Sequence, residues 1–122
     1  MPLSYLFDEN LRGPLWNFVL RHNRSGLNPI DVVQIGDSDV LALGTGDAEI
    51  LLWAQRHGRI LVSVDRGTMS KHLADHLAAG HHSPGVFTVR TEFPLREILD
   101  FLVLAAFATD PSEWADTNRF IP

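Results

Sequence analysis

Three acids stand at the ends of short apolar runs or at the start of a helical one. Asp8 ends Tyr5-Leu6-Phe7, Asp65 ends Ile60-Leu61-Val62-Ser63-Val64, and Asp47 follows Gly46 ahead of Ala48-Glu49-Ile50-Leu51. In open α/β sheets, ligands sit just beyond the carboxyl ends of the strands. Two acids there, with a third at a nearby helix start, form an oxygen-rich pocket. Such a pocket suits Mg²⁺ or Mn²⁺, which take carboxylate and water ligands. Asp8, Asp47 and Asp65 are therefore the candidate metal-ligating and catalytic residues. Glu9, Asn10, Glu49, Ser63 and Arg66 are candidates for supporting roles.

Each acid also has a structural reading. Asp8 follows Ser4 and Leu6 at period two, so it shares their face of a strand, and Glu9 points the other way. The alternative is that Asp8-Glu9-Asn10 caps the next helix. Asp47 reads as a helix N-cap, and Glu49 as a complement to the helix dipole. A capping carboxylate still has a second oxygen for a metal. Asp65 ends the most apolar strand, where a lone buried charge is costly. Ser63 shares its face, and adjacent Arg66 is placed to pair with it or with a phosphate.

These residues need a scaffold that gathers them. Strands are expected at residues 4–7, 31–35, 59–64, 85–90 and, at an edge, 118–121. Helices are expected from Pro14 to a break at Ser25-Gly26, and over 47–57, 68–79 and 94–108. Gly58 and Gly80 stop the second and third helices. Residues 36–46, with three glycines plus Asp37 and Asp39, form a loop with a short helical turn near Val40. Alternating strands and helices argue for a mostly parallel sheet of four to five strands with helices on both faces, a three-layer α/β/α sandwich.

The chain has 122 residues, which points to one domain spanning 1–122. At 45% hydrophobic it has enough apolar side chains for a core. It has no cysteine, which excludes disulfides, thiolate metal sites and thiol catalysis. The first residues carry no signal-peptide pattern and no apolar run approaches membrane-spanning length, so a cytoplasmic protein without membrane attachment is expected. A net charge of −5 argues against non-specific nucleic-acid binding through a basic surface.

The order and spacing of the motifs resemble a compact PIN-like domain, the nuclease fold of VapC-type toxins. The resemblance covers about residues 3–90. It rests on Leu6-Phe7-Asp8-Glu9-Asn10-Leu11, on Asp47-Ala48-Glu49-Ile50-Leu51 with Ala54, and on Gly58-Arg59-Ile60-Leu61-Val62-Ser63-Val64-Asp65. In that family the third motif reads Thr-x-Asp-x-Asp-Phe. The resemblance implies Asp8, Asp47 and Asp65 as ligands of Mg²⁺ or Mn²⁺, with Ser63 standing in for the Thr. It implies a metal-dependent endoribonuclease acting on single-stranded RNA, the toxin of a toxin–antitoxin pair, partnered by a small antitoxin. There are departures. The second motif acid falls on Gly67 and the Phe on Thr68, and between the first strand and the Asp47 helix only Asp37 and Asp39 offer a further acid. Gly67 and the acidic charge favour the alternative of a catalytically impaired PIN-like domain that binds protein or RNA.

Other residues are read more plainly. His72 and His76, four apart on one helix, have zinc-ligand spacing, but with His81 and His82 they fit a polar face near a helix C-terminus better. Trp16 and Trp53 read as core, and Trp114 as a partner contact. The helix at 94–108 is apolar nearly all round in its second half, which calls for cover by a second copy in a homodimer, by an antitoxin, or by the chain's own tail. A phosphoacceptor receiver ranks last, because Lys71 precedes the fourth strand.

Overall fold

A computed structural model describes residues 2–64 and 67–122. Its strands are β1 (Ser4–Phe7), β2 (Asp31–Gln34), β3 (Ile60–Val64), β4 (Val86–Val89) and β5 (Asn118–Ile121). Its helices are α1 (Pro14–Arg24), α2 (Asp47–His57), α3 (Met69–Ala78) and α4 (Leu95–Ala108). The strands form one sheet in the order β2-β1-β3-β4-β5, and every neighbouring pair is parallel. The sheet is thus wholly parallel, with the element order that the alternation of patterns predicts.

Near-continuous apolar runs mark strands covered on both faces. Tyr5, Leu6 and Phe7 are each fully buried, as are Val62, Val86 and Phe87. Tyr5, Phe7, Ile60, Val62, Phe87 and Val89 pack with α1 and α4, through Leu15, Val19, Ile98 and Leu102. The intervening Leu6, Leu61 and Val86 pack with α2 and α3, through Ile50, Leu51, Ala54 and Leu73. Each such side chain contributes about 1.5–3 kcal/mol when fully buried. The Tyr5 hydroxyl donates to the Leu102 carbonyl of α4 at 2.7 Å, tying helix to sheet. Burial pushes that phenol far above its ordinary range.

Local signals set the helix ends. Pro14 opens α1, where its missing N–H costs nothing. Gly58, at φ 64°, closes α2 in the left-handed conformation. The handedness of the connections has no counterpart in the sequence. The β1–α1–β2 connection steps one way along the sheet and β4–α4–β5 steps the other, yet α1 and α4 share a face. These two crossovers therefore have opposite hands, against the usual uniformity of parallel connections.

The burial of α4 is divided. Ile98, Leu99, Leu102, Ala105 and Ala106 face the core, whereas Leu104 is 64% and Phe107 47% exposed. The tail supplies part of the cover. Trp114 lies edge-on to Phe87 with ring centres 5.1 Å apart, and to Phe101 of α4 at 6.4 Å. Its indole N–H donates to Thr109 Oγ1 at 2.8 Å. Trp114, expected as a partner contact from its polar surroundings, is thus a wedge within the chain. Gly85 makes room for it, since a Cβ there would stand 2.7 Å from the Trp114 carbonyl oxygen. The loop at 36–46 has turns but no helical segment near Val40. Among the described residues, no helix is long and apolar enough to cross a membrane.

Asp116, at φ 61°, holds the tail to the loop before β4. Its carboxylate accepts from the Ser83 N–H at 2.8 Å and faces His82 Nδ1 at 3.2 Å. Those bonds, the Ser83 one first, lower its pKa.

Two outcomes are expected. Trp114→Ala lowers stability by about 2 kcal/mol, below the fully buried aromatic range because the ring is half-buried; urea denaturation measures it. Asp116→Asn keeps the left-handed backbone but loses the charge, at about 1 kcal/mol near neutral pH after allowing for exposure. A carboxylate whose folded pKa is depressed stabilises above its unfolded pKa, and that stabilisation fades as pH falls through the folded value. The wild-type advantage over Asp116→Asn should therefore shrink progressively below about pH 4, as paired urea melts across acid pH will measure.

Candidate functional site

β1 and β3 are neighbours whose chains leave the sheet in opposite directions. β1 continues through α1 to β2 on one side, and β3 through α3 to β4 on the other. The carboxyl ends of such a pair open on a crevice that no connecting helix closes. Asp8 lies at the end of β1, with its backbone N–H bonded to the Val62 carbonyl of β3 at 2.9 Å. That bond anchors the acid at the switch between the two strands.

Asp8 precedes a 3₁₀ turn, Glu9–Leu11, but its side chain makes no capping bond there. The capping alternative for Asp8 therefore does not hold. The amide of Asn10 donates to Asp8 Oδ2 at 3.2 Å and orients the carboxylate. Glu9 turns toward the long loop, where its Oε1 accepts from the Gly44 N–H at 3.1 Å. Glu9 is thus tied to a distant backbone N–H, whereas Asp8 is held by its near neighbour Asn10.

Asp47 is the first residue of α2, and Gly46, not Asp47, is its N-cap. The expectation of an Asp47 cap fails for a local reason. Gly46 is extended at φ −70°, ψ 155° and begins the helix with its own carbonyl, which accepts from the N–H of Ile50. The Asp47 carboxylate is left to face α3, where Oδ2 lies 3.3 Å from Nε2 of His72. Glu49 is exposed in the first turn of α2, beside the helix's positive end, and does not line the crevice. Ser63 is 2% exposed, and among the described residues its hydroxyl has no hydrogen-bond partner. Asp65 and Arg66 lie outside the described residues.

Asp8, Asp47 and Ser63 line one cleft of about 90 Å³ together with Glu9, Asn10, Thr45, Thr68 and Met69. The donor set is oxygen-rich, as a hard cation requires. A divalent cation would meet there two carboxylates without capping bonds and a buried hydroxyl with no partner among the described residues. Among the described residues, no group of three His, Cys, Asp or Glu side chains lies together to hold a metal.

The histidines divide differently from their spacing. His72 meets Asp47, whereas His76 is buried with Nε2 bonded to the His82 carbonyl at 2.8 Å. They do not form a ligand pair. Asp37 is held by Gln34, whose side-chain amide donates to it at 3.3 Å, and Asp39 is exposed, so neither joins the cleft. Thr45 and Thr68 had no sequence signal, and His72, read from its spacing to His76, meets Asp47 instead. No family model, no curated protein and no solved structure matches the chain.

His72→Ala is expected to change stability by no more than about 1 kcal/mol, because both partners are more than a third exposed. Urea denaturation at neutral pH tests this. A larger loss would give the His72–Asp47 contact a structural role.

Proposed function

We propose that the protein is a PIN-like, Mg²⁺- or Mn²⁺-dependent endoribonuclease that cuts single-stranded RNA, the toxin of a toxin–antitoxin pair. The observation that carries this reading is the cleft at the β1/β3 switch. There Asp8 and Asp47, from separate elements and without capping bonds, face a buried Ser63 hydroxyl. Asp8 and Asp47 hold the cation, with Asp65 as the third acid of the motif. A bound divalent ion supplies Lewis acidity and a water of lowered pKa for phosphodiester hydrolysis. Asn10 fixes the orientation of Asp8, and Ser63 supplies a hydroxyl to orient water or a phosphate oxygen. His72 holds Asp47 toward α3. In this reading the partners are single-stranded RNA, a small antitoxin and a second copy of the chain, and the exposed Leu104 and Phe107 of α4 are the apolar surface for protein contact.

A second reading, an impaired PIN-like domain that binds RNA or protein, is favoured by two observations. Gly67 stands where the motif has its second acid, and the described residues hold no three-ligand group.

The test is cleavage of an end-labelled, unstructured RNA with Mn²⁺ and with EDTA. Wild type should cut only with the ion, and Asp8→Asn and Asp47→Asn should each lose roughly 100-fold or more, the scale of losing one electrostatic stabiliser of a transition state. In thermal melts, Mn²⁺ at about 100 times its Kd should stabilise the wild type by about 2.7 kcal/mol and the variants far less. Stabilisation without cleavage would favour the impaired reading. Equal stabilisation of all three proteins would move the ion elsewhere.

A further inference from the structure

The cleft of the acids continues along the carboxyl edge of the sheet. Asn10 and Val64 line it and also line a second hollow of about 210 Å³ between the starts of α1 and α4. Val64, Val89 and Thr91 continue that hollow into a third of about 480 Å³, walled by Arg90, Glu92 and Phe120. The three hollows thus share lining residues in sequence from the acids to the end of β5.

Its far end has a particular chemistry. Phe120 sits on the edge strand β5 and is 52% exposed. The Arg90 guanidinium lies 5.7 Å from the centre of that ring and 6.0 Å from the ring of Phe93. Among the described residues Arg90 has no carboxylate partner. Arg90 follows Val86 and Thr88 at period two, so it projects from the α2/α3 face, as Asp8 does after Leu6. An exposed aromatic plane beside a guanidinium with no carboxylate partner among the described residues, opening on these hollows, matches an unpaired nucleotide. The ring stacks on the base, and the guanidinium meets a phosphate. An acidic peptide would meet Arg90 but has no base for the Phe120 ring.

We infer that Phe120 and Arg90 form a stacking and phosphate subsite for an unpaired stretch of RNA at this edge of the sheet. The inference rests on the nuclease reading for the path of the strand toward the acids. It does not need cleavage, because binding at this subsite requires no metal. A duplex cannot present an unstacked base to Phe120.

The experiment is fluorescence anisotropy in EDTA at low salt, with a labelled ten-nucleotide RNA and its duplex. Wild type should bind the single strand more tightly than the duplex. Phe120→Ala and Arg90→Ala should each weaken single-strand binding roughly tenfold, the scale of one lost stacking contact. Phe120→Tyr, which keeps the ring, should bind like wild type. Unchanged melting temperatures would show that the exposed ring is not needed for folding. No single-strand binding by wild type, equal binding by the alanine variants, or equal affinity for duplex would each overturn the subsite. Binding that needs Arg90 and Phe120, with no Mn²⁺-dependent cleavage, would support the subsite and overturn the nuclease reading. Cleavage indifferent to both residues would do the reverse.

Discussion

The pairing of β1 with β3 at the centre of the sheet is the constraint that shapes the remaining architecture. Both strands are buried on both faces, so neither can end in polar residues until it leaves the sheet. Their connections then depart to opposite sides. A helix cannot pass from either strand over the shared end, and the backbone bond from Asp8 to Val62 closes the ladder there. Asp8, the residue just beyond β1, is accordingly polar and partly exposed. The crevice is a consequence of the connectivity before it is a consequence of any side chain.

Within that crevice the side chains differ in how far their needs are met. Glu9 has a backbone donor in the long loop, and Asp116, far from the crevice, has the Ser83 N–H and His82. Asp8 has only the Asn10 amide, Asp47 only His72, and the Ser63 hydroxyl nothing among the described residues. Buried polar groups in folded proteins are normally paired. A polar cleft lined by a hydroxyl unmatched among the described residues and by carboxylates with a single side-chain partner each has room in its chemistry for a ligand. This contrast, and not the number of acids, separates the crevice from the ordinary acidic surface of a chain with net charge −5.

The opposite side of the molecule meets a different demand. α4 carries more apolar surface than α1 and the sheet can cover, and the chain after it folds back to place Trp114 against Phe87 and Phe101. That return leads into β5, which puts Arg119 over the Trp114 ring at 5.6 Å and leaves Phe120 exposed at the carboxyl edge. The opposite hands of the first and last crossovers accompany this arrangement. Covering α4 and presenting Phe120 are thus two effects of one strand joining the sheet edge.

The order of elements is legible in the chain alone, because short apolar runs such as Tyr5-Leu6-Phe7, bounded by polar residues and alternating with helical patterns, are satisfied as buried strands, and Gly58 can end a helix without strain. So is the placement of Asp8 and Asp47 at the ends of elements facing one edge, since alternation of side chains puts Asp8 on the face of Leu6. The partner that each polar group meets was settled by packing. Helical spacing puts His72 and His76 on one face, but α2 beside α3 brings Asp47 to His72, while the turn after α3 brings the His82 carbonyl to His76. Trp114 looked like a surface residue because its neighbours in the chain are polar. Burial depends on what returns through space, and the approach of the tail to Gly85 and α4 is a contact across long sequence separation that no local pattern encodes. The Ser63 hydroxyl, without a partner among the described residues, was invisible for the same reason: whether a donor finds an acceptor is a property of the assembled core, not of the strand that carries the residue.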